Sequence, residues 1–223
     1  MSAAVQRQIK SHYGVVERLP EDTVVTFYHA NWEDYEKLLA QVGEASGLRV
    51  SYDEGVIEVM SLSTEHENYA EFISGLLRVL SLRLRINIRF FGSATMKKRR
   101  LKKGLEPDGC FYVQSVAGIG TRQHLDFETD PPPDVAVEID LHHDSRGKYP
   151  IYAGLGVSEI WRYDGYRLTV LVLSAGNYVE VEASPALPML TGKVLTEFLS
   201  RQQSDGEFET LIAFEEWLQK QSG

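Results

Sequence analysis

Apolar positions along this chain recur at two spacings, and the switches between them mark out its elements. Trp32, Tyr35, Leu38, Leu39 and Val42 share one face at helical spacing, behind Asn31 and Asp34, a weak capping box. A helix is therefore predicted to start at Asn31, with Gly43 and Gly47 bracketing its end. A longer stripe of Tyr69, Phe72, Ile73, Leu76, Leu77, Leu80 and Leu84 follows a T-x-x-E box at Thr64 and Glu67. It predicts the most regular helix of the chain, with Arg78 and Arg85 on the other face. Elsewhere the pattern is β-like. VVTFY (24–28) reads as a strand, and residues 48–60 as a hairpin turning at Asp53-Glu54-Gly55. INIRFF (86–91), ATMKKRRL (94–101), GCFYV (109–113) and DVAVEIDL (134–141) read as further strands. SEIWRYD, YRLTVLVLS and NYVEVE form a meander. Ser145 to Leu155 is predicted helical, with Pro150 tolerable only near the first turn, and helices at 192–202 and 207–220 close the chain. Residues 1–22 are polar and read as a loose N-terminal arm, and 114–133 as a long polar connection. Without a repeat or linker, 23–223 is expected to be a single α/β domain on a mixed sheet.

Composition narrows the class. Of 223 residues, 43% are hydrophobic and 25% charged, as in a globular chain able to bury a core without staples. The single cysteine, Cys110, excludes an intramolecular disulfide framework. No apolar run approaches the roughly 18 residues of a membrane span, and no apolar secretory segment opens the sequence, so a cytoplasmic protein with no membrane partner is expected. The net charge of −9 argues against nucleic acid until its distribution is read. From Arg78 to Lys103 there are ten basic residues and no acid. Local field, not net charge, steers a polyanion, so Arg78, Arg85, Lys97, Arg99 and Lys102 are expected to rim a DNA-binding cleft. The plainer alternative is a solvated helix face followed by a lysine-guarded edge strand.

The candidate chemistry is acidic. On strand 134–141, Asp134, Ala136, Glu138 and Asp140 share one face, and Val135, Val137, Ile139 and Leu141 the other. An apolar face opposite a carboxylate row predicts one side on the core and one in a cleft. Glu138 and Asp140, about 6.6 Å apart along the strand, can serve one site, whereas Asp134 lies about 13 Å from Glu138. Pro107 forces an extended entry to the next strand and places Asp108 at its first position. If the two strands are neighbours, Asp108 and Glu138 come within about 5–6 Å, suited to a hard divalent ion. Lys148, at the head of the following helix, can fold back over them. As a surface side chain, its truncation would cost under about 0.5 kcal/mol. His142-His143-Asp144 reads as a polar loop, Cys110 as a buried small residue, and Trp161 and Tyr163 as core. Ser61 and Ser63 lack a nucleophile context.

Pro107-Asp108, then Glu138 on a second strand, then a lysine, resembles the PD-(D/E)XK nuclease superfamily. GVIEVMSLSTEHE (55–67), LEPDG (105–109), VAVEID (135–140) and KYPIYAGLGVSEIWRYDG (148–165) resemble more specifically the Uma-two family of restriction-endonuclease-like proteins, over roughly residues 30–200. The resemblance implies a restriction-endonuclease-like core, a mixed sheet flanked by helices, with Mg²⁺ (or Mn²⁺) at its open edge. It implies Asp108 and Glu138 as catalytic metal ligands, with the Ile139 carbonyl in the metal shell. The sequence departs from the motif at Asp140, which stands where a lysine is usual. Asp140 is then either a further ligand or a charge repelling the phosphate, and Lys148 the migrated lysine. Glu67 or Glu71, with His66 beside them, or Glu58 on the preceding strand, would supply the first-motif acid. The expected activity is DNA phosphodiester hydrolysis, with a homodimer matching two-fold DNA. The alternatives are a catalytically silent nuclease-fold module that binds nucleic acid or protein, and a metal hydrolase of a small phosphorylated substrate.

Overall fold

The computed structural model describes residues 12–43 and 47–221. Most of the N-terminal arm, residues 1–11, lies outside the described residues. Its remainder holds a short helix, α1 (His12–Val16), followed by β1 (Val24–Tyr28) and α2 (Trp32–Val42). The hairpin β2 (Leu48–Asp53) and β3 (Val56–Ser61) leads into the long helix α3 (Thr64–Leu84). Three short strands follow, β4 (Arg89–Phe90), β5 (Met96–Lys98) and β6 (Lys103–Leu105). Then come β7 (Gly109–Tyr112), the single turn α4 (Val116–Ile119), β8 (Val135–Ile139) and α5 (Tyr149–Leu155). A meander of β9 (Glu159–Tyr163), β10 (Leu168–Ser174) and β11 (Asn177–Val181) precedes α6 (Gly192–Asp205) and α7 (Glu207–Gln221).

The strands divide between two sheets. β1-β3-β2-β6-β5 is antiparallel throughout. β11-β10-β9-β8-β7-β4 is the mixed sheet, with β8 and β9 its parallel pair, joined through α5. On one side of β8, Val135, Val137 and Ile139 enter the main core beneath α3, α6 and α7. On the other, Ala136 packs with Ile151, Tyr152 and Leu155 of α5. Every residue of β8 is buried, which corrects the expectation of an open carboxylate face. A parallel-paired central strand is covered by helices on both sides. Asp134 is accordingly structural. It accepts from the Val113 and Ser115 N–H groups at 2.7 and 2.9 Å and from the Ser115 hydroxyl at 2.6 Å.

Local signals set most boundaries. The Asn31–Asp34 capping box forms as read. α3 is capped one residue earlier than expected, because Ser63, not Thr64, accepts from the His66 N–H. ATMKKRRL breaks into β5 and a 3₁₀ turn (Arg99–Leu101), whose C-cap Lys102, in left-handed conformation, leads into β6. Of INIRFF, only Arg89 and Phe90 pair in a strand. A third core joins α2 to the small sheet through Trp32, Tyr35, Leu38, Val50 and Tyr52, with Val16 of α1 buried in it. Among the described residues, no helix is long and apolar enough to cross a membrane.

Candidate active site

Strand register assembles the site. β7 runs antiparallel to β8, with Gly109 opposite Val137 and Cys110 opposite Ala136. Just before β7, the Asp108 N–H donates to the Val137 carbonyl at 3.1 Å, and its carboxylate is close enough for its charge to raise the Glu138 pKa. The Ile139 N–H then donates to Asp108 Oδ2 at 2.8 Å.

Lys148 comes to this pair from above. The 3₁₀ turn Ser145–Lys148 runs directly into α5, so Lys148 and Tyr152, four residues apart, share the face over β8. Lys148 Nζ lies 2.8 Å from Glu138 Oε2, and the Tyr152 hydroxyl donates to Oε1. The lysine side chain is only 8% exposed, which corrects its reading as a surface group. Burial pushes the Glu138 carboxyl up to about 7, against the pull of Lys148. Burial opposes the Lys148 charge, but Glu138 and Asp108 outweigh it and raise its pKa.

On the far side of Asp108, His66 Nε2 lies 2.9 Å and Arg49 Nε 3.6 Å from Oδ1. All three atoms are buried and none has a well-directed hydrogen bond. Burial would raise the Asp108 carboxyl, but His66, then Lys148 and Arg49, hold it below the usual carboxylate range.

A cavity of about 170 Å³ opens beside Glu138 where the two sheets meet, lined by Glu58 and Met60 of β3 and by Asp140, His143 and Lys148. Glu58, one of the candidate first-motif acids, thus shares the Glu138 cavity. Glu67 does not line it. Its side chain is half exposed and holds Arg49 Nη2 at 2.8 Å. Asp140 lines the cavity, but its Oδ2 accepts from the Ser145 N–H and hydroxyl, each at 3.1 Å, and pairs with Arg162 Nε at 3.1 Å. Its charge is therefore matched within the fold. Cys110 is buried, its thiol pushed up to about 12 by desolvation. Trp161 and Tyr163 are core residues.

The basic stretch is not gathered here, which corrects the expected rim. None of Arg78, Arg85, Lys97, Arg99 and Lys102 lines the Glu138 cavity. α3 rises about 1.5 Å per residue, so Arg85, its C-cap, lies about 28 Å along the axis from His66. Arg78 stacks over Phe90 at 4.6 Å. Lys97 and Arg99 pair with Glu36 of α2, and Arg99 also with Glu33. Lys102 lies by the turn, near Arg99.

Three contributors escaped the sequence reading. Tyr152 had a signal, its i+4 spacing from Lys148. Arg49 had a weaker one, a lone basic residue between Leu48 and Val50 in a β-rich run. Arg162 had none. Glu106, which stands beside Asp108 in the LEPDG segment, is structural. Glu106 accepts from the Val50 N–H at 2.9 Å and from the Thr95 hydroxyl at 2.7 Å, pinning β2 against the segment that carries Asp108. Among the described residues, no three His, Cys, Asp or Glu side chains group as a metal cage. The donor set nevertheless fits Mg²⁺, which takes one or two carboxylates and keeps its waters. Asp108 Oδ1 is a buried oxygen without a well-directed partner, and Glu138 lies near enough to feel the Asp108 charge.

No curated protein matches the sequence. A solved structure, described as "a putative nuclease belonging to DUF820" from Anabaena variabilis ATCC 29413, matches in fold with a TM-score of 0.50 and 17% identity. The match covers 67% of this chain and 90% of that one. The model of the Uma2 (Uma-two) family, described as "Putative restriction endonuclease", matches residues 32–202, a span that holds Asp108, Glu138 and Lys148. This chain belongs to that family.

Proposed function

We propose that this chain is a metal-dependent endonuclease that hydrolyses DNA phosphodiester bonds, with Mg²⁺ or Mn²⁺ held by Asp108 and Glu138. The observation that carries the reading is that one buried lysine serves both carboxylates: Lys148 Nζ stands 2.8 Å from Glu138 Oε2, and its charge also acts on Asp108. A divalent ion bound there would acidify a water and stabilise charge on the phosphate. The chain's own residues do the rest. Asp108, held ionised, is oriented by the Ile139 N–H, and the Ile139 carbonyl is the proposed neutral ligand. Lys148, fixed by Glu138, supplies a compact positive charge to the nucleophile or the phosphate. Glu58 is the proposed first-motif acid, because it opens on the same cavity as Glu138. Asp140 serves the loop that carries Ser145 and not the metal.

The test is supercoiled plasmid incubated with Mg²⁺ or Mn²⁺, wild type beside Asp108→Asn, a near-isosteric change in a buried site. Nicking by wild type and none by the variant is expected. Equal cutting by both overturns the assignment. A second reading, a silent nuclease-fold module that binds nucleic acid, is favoured by one observation. Internal groups already engage both carboxylates, Ile139 and His66 on Asp108, Lys148 and Tyr152 on Glu138. Calorimetric titration with Mn²⁺ separates the two, since the silent module takes up no metal at this site. A homodimer is the assembly to test first, by sedimentation, because duplex DNA is two-fold symmetric.

A further inference from the structure

We infer that Arg49 receives a phosphate of the DNA strand entering the site, and that the Glu67 carboxylate holds its place until then. The inference deepens the nuclease reading and rests on it. β2 alternates, with Val50 and Tyr52 in the small core and Arg49 turned the other way, where Glu106 pins the strand against the Asp108 segment. The Arg49 side chain is nine-tenths buried, and its Nε has no well-directed hydrogen bond. Two grooves, of about 560 and 430 Å³, meet at this residue and share only Arg49 and Ser93. One continues past Thr95 and His124, the other past Ser63 and Glu67. A strand lying along both therefore passes over Arg49, which stands 3.6 Å from Asp108.

Arginine presents a planar fork that matches phosphate geometry with two bonds. Its present partners leave that fork underused. The Glu67 bond takes Nη2 alone, and the Leu48 carbonyl accepts weakly from Nη1 at 3.4 Å. Asp108 does not need Arg49 as its sole counter-charge, because the Lys148 charge also acts on it and the Ile139 N–H donates to it. Glu67 is half exposed, and exposed ion pairs are weak, so a phosphate displaces it cheaply.

The experiment measures anisotropy of a short fluorescein-labelled DNA duplex in EDTA, over a salt series, with folding of each variant checked by circular dichroism. Arg49→Gln is expected to weaken binding by about tenfold or more and to reduce the slope of log affinity against log salt by about 0.9, one phosphate contact. Arg49→Lys is expected to keep the slope but lose affinity, because it keeps the charge and loses the fork. Glu67→Gln is expected to tighten binding by up to about fivefold, the strength of the ion pair no longer displaced. Arg49→Lys is the informative variant should Arg49→Gln fail to fold. A folded Arg49→Gln with an unchanged slope, or an Arg49→Lys with wild-type affinity, overturns the role of Arg49. Loss of plasmid cutting by Glu67→Gln without tighter binding would make Glu67 a catalytic acid and overturn its role as placeholder. If wild type neither binds DNA nor cuts plasmid with Mg²⁺, the nuclease reading falls first and this inference with it. If wild type cuts but Arg49→Gln binds as wild type does, only the inference falls.

Discussion

At the scale of single residues, the decisive feature is a buried lysine facing a buried glutamate. Lys148 and Glu138 satisfy each other, and removing either strands the partner's charge in the core. Lys148→Met is expected to destabilise the fold by about 3–5 kcal/mol, with Lys148→Met/Glu138→Gln recovering most of the loss. Urea unfolding of the two single variants and the double checks this; strictly additive costs would mean that the charges do not couple. The pair also sets a pH signature. The Glu138 carboxyl sits at about 7 in the fold against an ordinary 4.5, so the folded state binds more protons between those values. Stability contributed by this group is therefore full below about pH 4.5 and declines as pH rises toward 7. Lys148 stays charged throughout that window. Asp108 acts in the opposite sense, since its depressed pKa adds stability above the ordinary carboxylate range that is lost on acidification. In unfolding measured across this range, Glu138→Gln is expected to lack the decline that wild type shows.

At the scale of elements, the site depends on how α3 begins and where α6 lands. Ser63 caps α3 three residues before His66, whose ring meets Asp108. Ser63→Ala is expected to cost about 0.5–2 kcal/mol in thermal unfolding, the usual loss of an N-cap. α6 starts against β10 at a glycine, and a Cβ at Gly192 would stand 2.7 Å from the Leu168 carbonyl oxygen. That atom is backbone in a paired strand and has little room to move. Gly192→Ala is expected to destabilise by about 1–3 kcal/mol, the range of overpacking, and the same melting experiment reads it. A melting temperature equal to wild type would show that α6 shifts to make room.

At the scale of the whole molecule, two sheets meet at the cavity, so residues of β3, β8 and the turn before α5 line one space. Charge is distributed just as unevenly. The basic stretch runs from the C-terminal turns of α3 to the β5 turn, where Glu33 and Glu36 of α2 neutralise part of it. Lys97→Gln/Arg99→Gln is therefore expected to weaken duplex binding less than Arg49→Gln alone, in anisotropy between about 50 and 200 mM salt. A larger effect from the double variant would relocate the DNA path to the α2 side.

The sequence by itself determined what short-range physics controls. Apolar periodicity marks α2, α3 and the β9–β11 meander, Pro107 sets the entry to β7, and Asn31 with Asp34 fixes the start of α2. The identities of Asp108, Glu138 and Lys148 as candidates were legible for the same reason, as residue types at the ends of recognisable elements. Only the tertiary structure decided their surroundings. That Asp108 comes near Glu138 depends on the pairing of β7 with β8, strands separated by a long connection. That Glu138 is buried beside a small cavity depends on α5 packing over β8, which alternation within one strand cannot reveal. The division into two sheets, the capture of Lys97 and Arg99 by α2, and the approach of Arg49 to Asp108 are likewise contacts between distant segments. Periodicity reports which face of an element is apolar, but the partner that covers that face is chosen by the packing of the whole chain.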